Sequence, residues 1–416
     1  MSGGGFGPSE TVDITLDASP LQRTTTDSGG GFLTRVTIPA SALPGRHTFR
    51  AKGESSGLWA KAFFNVRTDW PRFHFDGANS ASNPYENVLD PSNVGGLVEK
   101  WSLSTFAPVL GGAAIVGGVV YVGSENGSMY ALNAANGKVG WRVDVGHVSS
   151  TPAVANGVVY VSTASPVVAM KASTGEVLWR FYTYYGSFHS SPVVANGVVY
   201  VASNSTAIVY ALDAATGAEL WSFHSSNRID SSPAVVDGVV YIASFDGYLY
   251  ALDAANGTEL WRFAAGTSSS SPAVADGVVY LGTYYDGLLA IDAATGAELW
   301  RNPLAGNIFG SAAVANGVVY VGSGNGYLYA VDAATGTELW SFQTLNEIVY
   351  SPTVANGAVF IMSFDNTFYA VDAATGSELW SHPVESWFDT DPSPAVVNGV
   401  VYVGSYDWNV YAFGLP

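Results

Sequence analysis

The sequence predicts an all-β chain, most of it an eight-bladed β-propeller closed by pairing an N-terminal strand with the last blade, and preceded by a small β-sandwich. Three observations carry this reading. Trp101, Trp141, Trp179, Trp221, Trp261, Trp300, Trp340 and Trp380 recur at spacings of 40, 38, 42, 40, 39, 40 and 40 residues. A period near 40 marks a solenoid or propeller rather than independent domains. Composition agrees, because 47 glycines and 23 tyrosines against 12% charged residues suit short strands, tight turns and aromatic packing. Strands such as Gly317 to Gly322 (GVVYVG) are apolar at nearly every position, so both faces are buried, as they are when blades stack around an axis. No stretch has apolar residues at helical spacing, and β-branched residues dominate.

Each unit reads as four short strands. In the fourth, Ser231-Ser232-Pro233 opens an apolar strand that turns at Asp237-Gly238. Val239 to Ser244 returns, Phe245-Asp246-Gly247 leads to Tyr248 to Asp253, and Ala254 to Gly257 turns into Glu259-Leu260-Trp261. The glycines supply the positive φ that such hairpins need. The eighth unit begins at Ser393-Pro394 and stops at Gly414, short of its fourth strand. Val98 to Leu103 supplies that strand from the other end, and closure removes exposed sheet edges.

The domains expected are therefore a sandwich over 1–67, a linker over 68–97 and the propeller over 98–416. The sandwich rests on alternating segments such as Val12 to Leu16 and His47 to Ala51. The linker rests on a stretch rich in Asn, Pro and Ser. His47 and His74, outside the propeller, are expected to be solvated.

Net charge is −18, with Lys and Arg scattered rather than striped, which excludes nucleic acid and anionic membrane surfaces as ready partners. Cysteine is absent, which removes disulfides, thiolate metal sites and cysteine nucleophiles. No apolar run reaches the roughly 18 to 20 residues of a membrane span. Residues 1–6 lack signal-peptide character. The opening Ser2-Gly3-Gly4-Gly5 reads as a trimmed piece, and the expected location is extracytoplasmic or secreted.

At the turn before each Trp the chain spells Ala211-Leu212-Asp213-Ala214-Ala215-Thr216-Gly217-Ala218-Glu219-Leu220-Trp221, repeated as Asp292, Thr295, Gly296, Trp300, as Asp332, Thr335, Gly336, Trp340, and as Asp372, Thr375, Gly376, Trp380. This resembles the tryptophan-docking motif of the pyrroloquinoline-quinone-like repeat family, the quinoprotein alcohol dehydrogenases and their non-enzymatic relatives, outer-membrane assembly lipoproteins among them. The resemblance covers 98–416 and implies that the eight tryptophans wedge between neighbouring blades as structural residues. Asn133, Asn136, Lys171 and Asn256 depart mildly from it, and a lipidation cysteine is absent. The first 67 residues resemble the immunoglobulin-like modules of secreted bacterial proteins, through Gly5 to Pro8 and Ile38 to His47.

The quinoprotein pattern also implies adjacent cysteines, an acidic and amide set for calcium, a catalytic Asp and long insertions between blades. Here there are no cysteines and the units are nearly uniform, so neither pyrroloquinoline quinone nor calcium is expected, nor any metal site. Asp389 and Asp391 fall well short of the roughly six to eight oxygens calcium takes. Zinc-helix, nucleophile-elbow and phosphate-loop motifs are missing.

What varies between units is where function is expected to sit. The crossovers between blades and the loops between second and third strands lie on one face of a propeller. They carry the ligand-binding candidates Tyr184, Tyr185, His189, Arg228, Asp230, Tyr284, Tyr285, Phe309, Tyr350, Trp387, Asp389, Asp391 and Trp408. Aromatics beside carboxylates, amides and an Arg suit sugars or peptides. Aligned on the Ser-Pro step, Leu110, Ser149, His189, Asp230, Ser269, Phe309, Val349 and Asp391 ring the channel mouth. His189 and Asp230 on adjacent blades form a weak acid/base candidate, against a plain hydrogen-bonding role. The expected function is a non-catalytic binding or scaffolding propeller for a glycan or protein partner. The alternatives are an enzyme acting on a sugar or polyol, a quinone-dependent dehydrogenase included, and a structural subunit of a surface fibre.

Overall fold

The computed structural model of the protein describes residues 1–39, 42, 45–183, 186–384 and 392–416. It divides into two compact units, 1–68 and 69–416.

In the smaller unit Ser19–Thr25, Thr11–Leu16, Gly45–Gly53 and Trp59–Val66 form one antiparallel sheet in that order, and Ser2–Gly3 pairs with Phe32–Leu33. Strict alternation sorts the side chains. Val12, Ile14 and Ala51 face a small core with Phe6 and Phe32, while the other face of the sheet is open. His47 is not solvated as expected: its ring is mostly covered and its Nδ1 lies 2.8 Å from Asp17 Oδ2.

Among the described residues the larger unit holds eight sheets of four antiparallel repeat strands, a β-propeller. The first runs through Ala114–Val116, Val119–Gly123, Ser128–Asn133 and Val139–Asp144, and the next six repeat the pattern. In the eighth, Ala395–Val397, Val400–Gly404 and Asn409–Gly414 are completed by Val98–Ser104, with Trp101 opposite Ala412. The innermost strands neighbour one another in sequence order, and that of the eighth sheet neighbours that of the first.

The repeat motifs have separate tasks. In Ser-Ser-Pro the first Ser ties its own sheet together, as where Ser231 Oγ donates to the Ala243 carbonyl at 2.8 Å. The second Ser accepts from the preceding sheet. Backbone N–H groups of Thr151, Ser191, Ser232, Ser271 and Ser311 donate in turn to the hydroxyls of Ser191, Ser232, Ser271, Ser311 and Ser351 at 2.8 to 3.0 Å, a belt around the axis.

Each tryptophan docks on the next sheet. Trp261 Nε1 donates to the Ala293 carbonyl at 3.1 Å, and the Tyr241 hydroxyl donates to the same carbonyl at 3.0 Å. The pattern breaks once, for a reason visible in sequence. The eighth unit lacks its turn, so Trp380 donates instead to the Leu97 carbonyl at 3.1 Å, and Phe360 stands where the other units have Tyr. The turn glycine lies flat on the indole. A Cβ on Gly376 would sit 2.7 Å from Trp340, and its φ is +73°. Gly376→Ala is therefore expected to cost about 2 kcal/mol or more, while Gly277→Ala, at φ +78° with nothing within 4 Å, costs about 1. Denaturant midpoints of the two variants check the contrast.

The stretch 68–97, read from composition as a linker, differs most from expectation. From Asp69 it belongs to the larger unit, and Trp70, Phe73, Ala81, Leu89, Val94 and Leu97 are buried. Residues 70–83 form a strap that visits each sheet once in chain order. Trp70 exchanges two backbone hydrogen bonds with Ile115, Pro71 accepts from Val154 N–H, and Arg72 Nη1 donates to the Val194 carbonyl. Gly77, Ala78, Ser80 and Ala81 then accept from Val235, Val274, Val314 and Val354, and Asn83 Nδ2 donates to the Val396 carbonyl. All eight partners are the middle residue of an innermost three-residue strand, whose inward edge would otherwise be unpaired. His74 rides in this strap, buried rather than solvated, with Nε2 3.3 Å from Ser393 Oγ. Burial pushes its pKa down to about 3.

Candidate functional site

Crossovers and second-to-third-strand loops do share one face, because backbone bonds tie each crossover to the loop that follows it. Phe245 N–H donates to Arg228 O, Tyr284 to Thr267, Gly324 to Asn307 and Phe364 to Glu347, at 2.8 to 3.0 Å.

On that face the third to sixth sheets bring together a continuous cluster. The Arg228 guanidinium lies 4.0 Å over the Phe245 ring and its Nε is 3.4 Å from Asp230 Oδ2. Asn204 Nδ2 donates to Asp230 as well. Phe245 meets Tyr284 edge-on at 5.7 Å, and Tyr284 packs against Phe309 at 5.1 Å and Tyr285 at 6.3 Å. Burial of Tyr284 pushes its phenol above the ordinary range. Tyr285 stands out from the cluster at 82% exposed. Arg228, Asp230, Tyr284, Tyr285 and Phe309 are candidates from the sequence, and the structure brings these five together. Asn204 and Phe245 complete the cluster, and Phe245 had been noted only as a loop residue.

Two expectations do not hold. Tyr350 is buried, packed edge-on against Phe364 at 5.4 Å. It occupies the place of the first Ser in Ser-Ser-Pro, which points inward, so it is a packing residue and not a platform. Among the described residues no ion pair or hydrogen bond joins His189 to Asp230; His189 is exposed, and Asp230 is held by Arg228 and Asn204. Tyr184, Tyr185, Trp387, Asp389 and Asp391 lie outside the described residues.

The loop carboxylates brace rather than bind. Asp246, Asp365 and Asp407 each accept from a tyrosine hydroxyl four residues on, at 2.8, 2.8 and 2.5 Å. The Tyr369 phenol is pushed up to about 12 by burial and by this carboxylate. Among the described residues no group of three or more His, Asp or Glu could hold a metal ion.

Trp408 sits elsewhere on the same face, 51% exposed and with φ +74°. Three other units place Gly at this turn position, as Gly127, Gly247 and Gly326, all at positive φ. A bulky residue in the left-handed region costs of order 1–3 kcal/mol, and such strain collects at functional sites. Phe106, exposed and also at positive φ, stands nearby through Thr105, whose N–H donates to the Trp408 carbonyl at 2.7 Å. Sequence reasoning missed Phe106, although its place after the closing strand put it in a crossover. Exposed Leu345 in the sixth crossover was missed likewise.

Comparison with known proteins places this geometry. A family profile described as outer membrane protein assembly factor BamB matches residues 93–186, 150–208, 163–307, 245–346 and 286–415. The BamB of Yersinia pestis is 41% identical over 75 residues, 18% of this chain and 19% of that protein, so the match spans about a fifth of that relative's length. The crystal structure of BamB from Moraxella catarrhalis superposes with a TM-score of 0.67 at 19% identity, covering 76% of this chain and 99% of that one. A quinohemoprotein alcohol dehydrogenase from Pseudomonas putida HK5 gives 0.73 at 17% identity over 83% and 80% of the two chains, a likeness of fold alone. No helix among the described residues is long and apolar enough to cross a membrane. The repeats, their docking tryptophans and a profile that spans most of the residues make this chain a member of the BamB-like family of pyrroloquinoline-quinone-like propeller repeats.

Proposed function

We propose that the chain is an eight-bladed, non-catalytic, extracytoplasmic propeller that holds a protein partner on its crossover face, with the 1–67 piece as an immunoglobulin-like module. The observation that carries the reading is the exposed aromatic surface of that face, above all Tyr285 beside the Arg228 cluster and Trp408 held in a glycine conformation. Exposed aromatics on rigid loops gain nothing from folding and serve as anchors in interfaces. Arg228, stacked on Phe245 and braced by Asp230, adds a fixed charged donor. The residues do not fit a quinone site of the quinoprotein kind: cysteine is absent, and Asp230, Asp246 and Asp365 on the face are already engaged by Arg228, Asn204 or tyrosines. Family membership supports a scaffold, since the relatives are named as outer membrane protein assembly factors.

Soluble domains of outer-membrane assembly proteins, and neutral oligosaccharides as the competing class, should be screened by the shift in unfolding temperature that binding produces. A protein domain is expected to raise it. Tyr285→Ala and Trp408→Gly should each weaken binding about tenfold, the loss of one interface anchor. Trp408→Gly should meanwhile leave the free protein as stable or about 1 kcal/mol more stable, by relief of strain. Binding that survives both substitutions, or stabilisation by oligosaccharides alone, would overturn the reading.

A further inference from the structure

The smaller unit carries a surface that the propeller reading does not use. Residues 1–68 hold seven Lys and Arg against five Asp and Glu, whereas 69–416 holds nine against 29. The cations are not dispersed within the unit. On the open face of its sheet, Arg46, Thr48, Arg50 and Lys52 project from one strand, and Trp59, Lys61, Phe63 and Asn65 from its edge neighbour. The register sets Lys52 opposite Trp59 and Arg50 opposite Lys61. Asp13 and Thr15 of the next strand lie opposite Lys52 and Arg50. A shallow cleft is lined by Asp13, Thr15, Arg50, Lys52, Trp59 and Lys61.

Two local rules are broken here. Trp59 is 65% exposed on a sheet face. Arg50 directly faces Lys61, and like charges across a strand pair destabilise the sheet. Neither feature serves the fold, since the core lies on the opposite face with Val12, Ile14 and Ala51. Conflicts without structural return mark functional sites.

We infer that this face binds an acidic polysaccharide, a polymer of uronic acids. An indole offers a flat apolar plane of the kind on which a pyranose ring stacks. Arg50, Lys52 and Lys61 supply charge-assisted donors for carboxylates, with Arg50 capable of bidentate contact. Asp13 distinguishes the sugar polymer from a phosphate-dense one. It lies in the cleft with its Oδ1 already accepting from Arg23 at 2.7 Å. A carboxylate there repels a dense run of phosphates, whereas sugar hydroxyls can donate to it.

The test uses the whole chain in affinity electrophoresis through gels containing polygalacturonate, with dextran, polyphosphate and anionic phosphatidylglycerol vesicles as parallel arms. Polygalacturonate is expected to retard the protein and the other three to do so far less. Trp59→Ala and the double substitution Arg50→Gln, Lys61→Gln should each weaken retardation about tenfold or more, the loss of a stacking plane or of two charged hydrogen bonds. Far-ultraviolet circular dichroism should be unchanged, because these side chains are exposed. Tyr285→Ala should leave retardation intact, which separates this inference from the reading of the crossover face. The inference is overturned if polygalacturonate has no effect, if the variants bind it as well as the parent, or if polyphosphate or vesicles bind equally.

Discussion

A chain that starts at residue 69 will fold into the cooperative propeller, and a chain that starts at residue 98 will not. The shorter chain keeps every repeat and the closing strand Val98–Ser104, and loses only the stretch that composition marks as a linker. It loses six buried apolar side chains, Trp70, Phe73, Ala81, Leu89, Val94 and Leu97 among its end residues. At ~1.5–3 kcal/mol for each large one, the deficit is on the order of 10 kcal/mol, comparable with the whole stability of a typical domain. Removal also strips the acceptors from the inward N–H groups of Val154, Val235, Val274, Val314 and Val354. Size-exclusion chromatography and urea unfolding of the two chains decide the matter. Equal midpoints and monomeric elution for both would show that the strap decorates a ring that holds itself together. A start at residue 105 removes the closing strand as well and leaves Asn409–Gly414 as an unpaired edge, so aggregation is expected there.

The ring was legible and the strap was not, for one physical reason. A strand that pairs on both sides and stacks on both faces must be apolar throughout, and its turns need Gly at set places, so the repeat is written in the sequence forty residues at a time. The strap meets each sheet at one or two hydrogen-bonding groups, and its ladder is limited to the two-residue parallel pairing of Ser82–Asn83 with Val354 and Ala355, so no periodicity betrays it. Its polar residues serve its own turns, as where Asp76 accepts from Ala78 N–H, Ser80 N–H and Ser80 Oγ at 2.8 to 3.0 Å. The crossover face was half legible. Departure from the repeat located Arg228, Asp230, Tyr284 and Phe309, yet the same departure misplaced Tyr350, because a Tyr replacing an inward Ser looks identical in sequence to one on a loop tip. The pairing of His189 with Asp230 assumed that adjacent ring positions touch. Asp230 turns instead to Arg228 and Asn204, which lie closer along the same face.

Lowering the pH from 6.5 to 4.5 will destabilise the protein through His74. The ring is fully buried in the strap, stacked on Phe73 at 3.7 Å, and desolvation holds its pKa down to about 3. In the unfolded chain it titrates near 6.5. Below that value the unfolded state binds a proton that the folded state refuses, so the contribution is whole above pH 6.5 and is lost as pH falls toward the folded value. The slope steepens from about 0.7 kcal/mol per pH unit at pH 6.5 to about 1.3 near pH 5, roughly 2 kcal/mol across the window. Carboxylates held below their usual range add to acid loss as the pH falls through their unfolded values, 3.8 for Asp213 and Asp332 through Thr216 and Thr335, and 4.5 for Glu10 in the smaller unit. Most of the window from 6.5 to 4.5 lies above both, and substitution of His74 separates the two contributions. His74→Asn is the informative variant, because His74 has φ +51° and Asn tolerates that left-handed backbone while bearing no titrating ring. It should be less stable than the parent at pH 7, lose far less stability on acidification, and approach the parent near pH 4.5. Urea midpoints at half-unit pH intervals measure both slopes. A parent curve that is flat over this window, or a variant curve parallel to it, would mean that His74 gains a proton in place and that the strap opens to water without unfolding the ring.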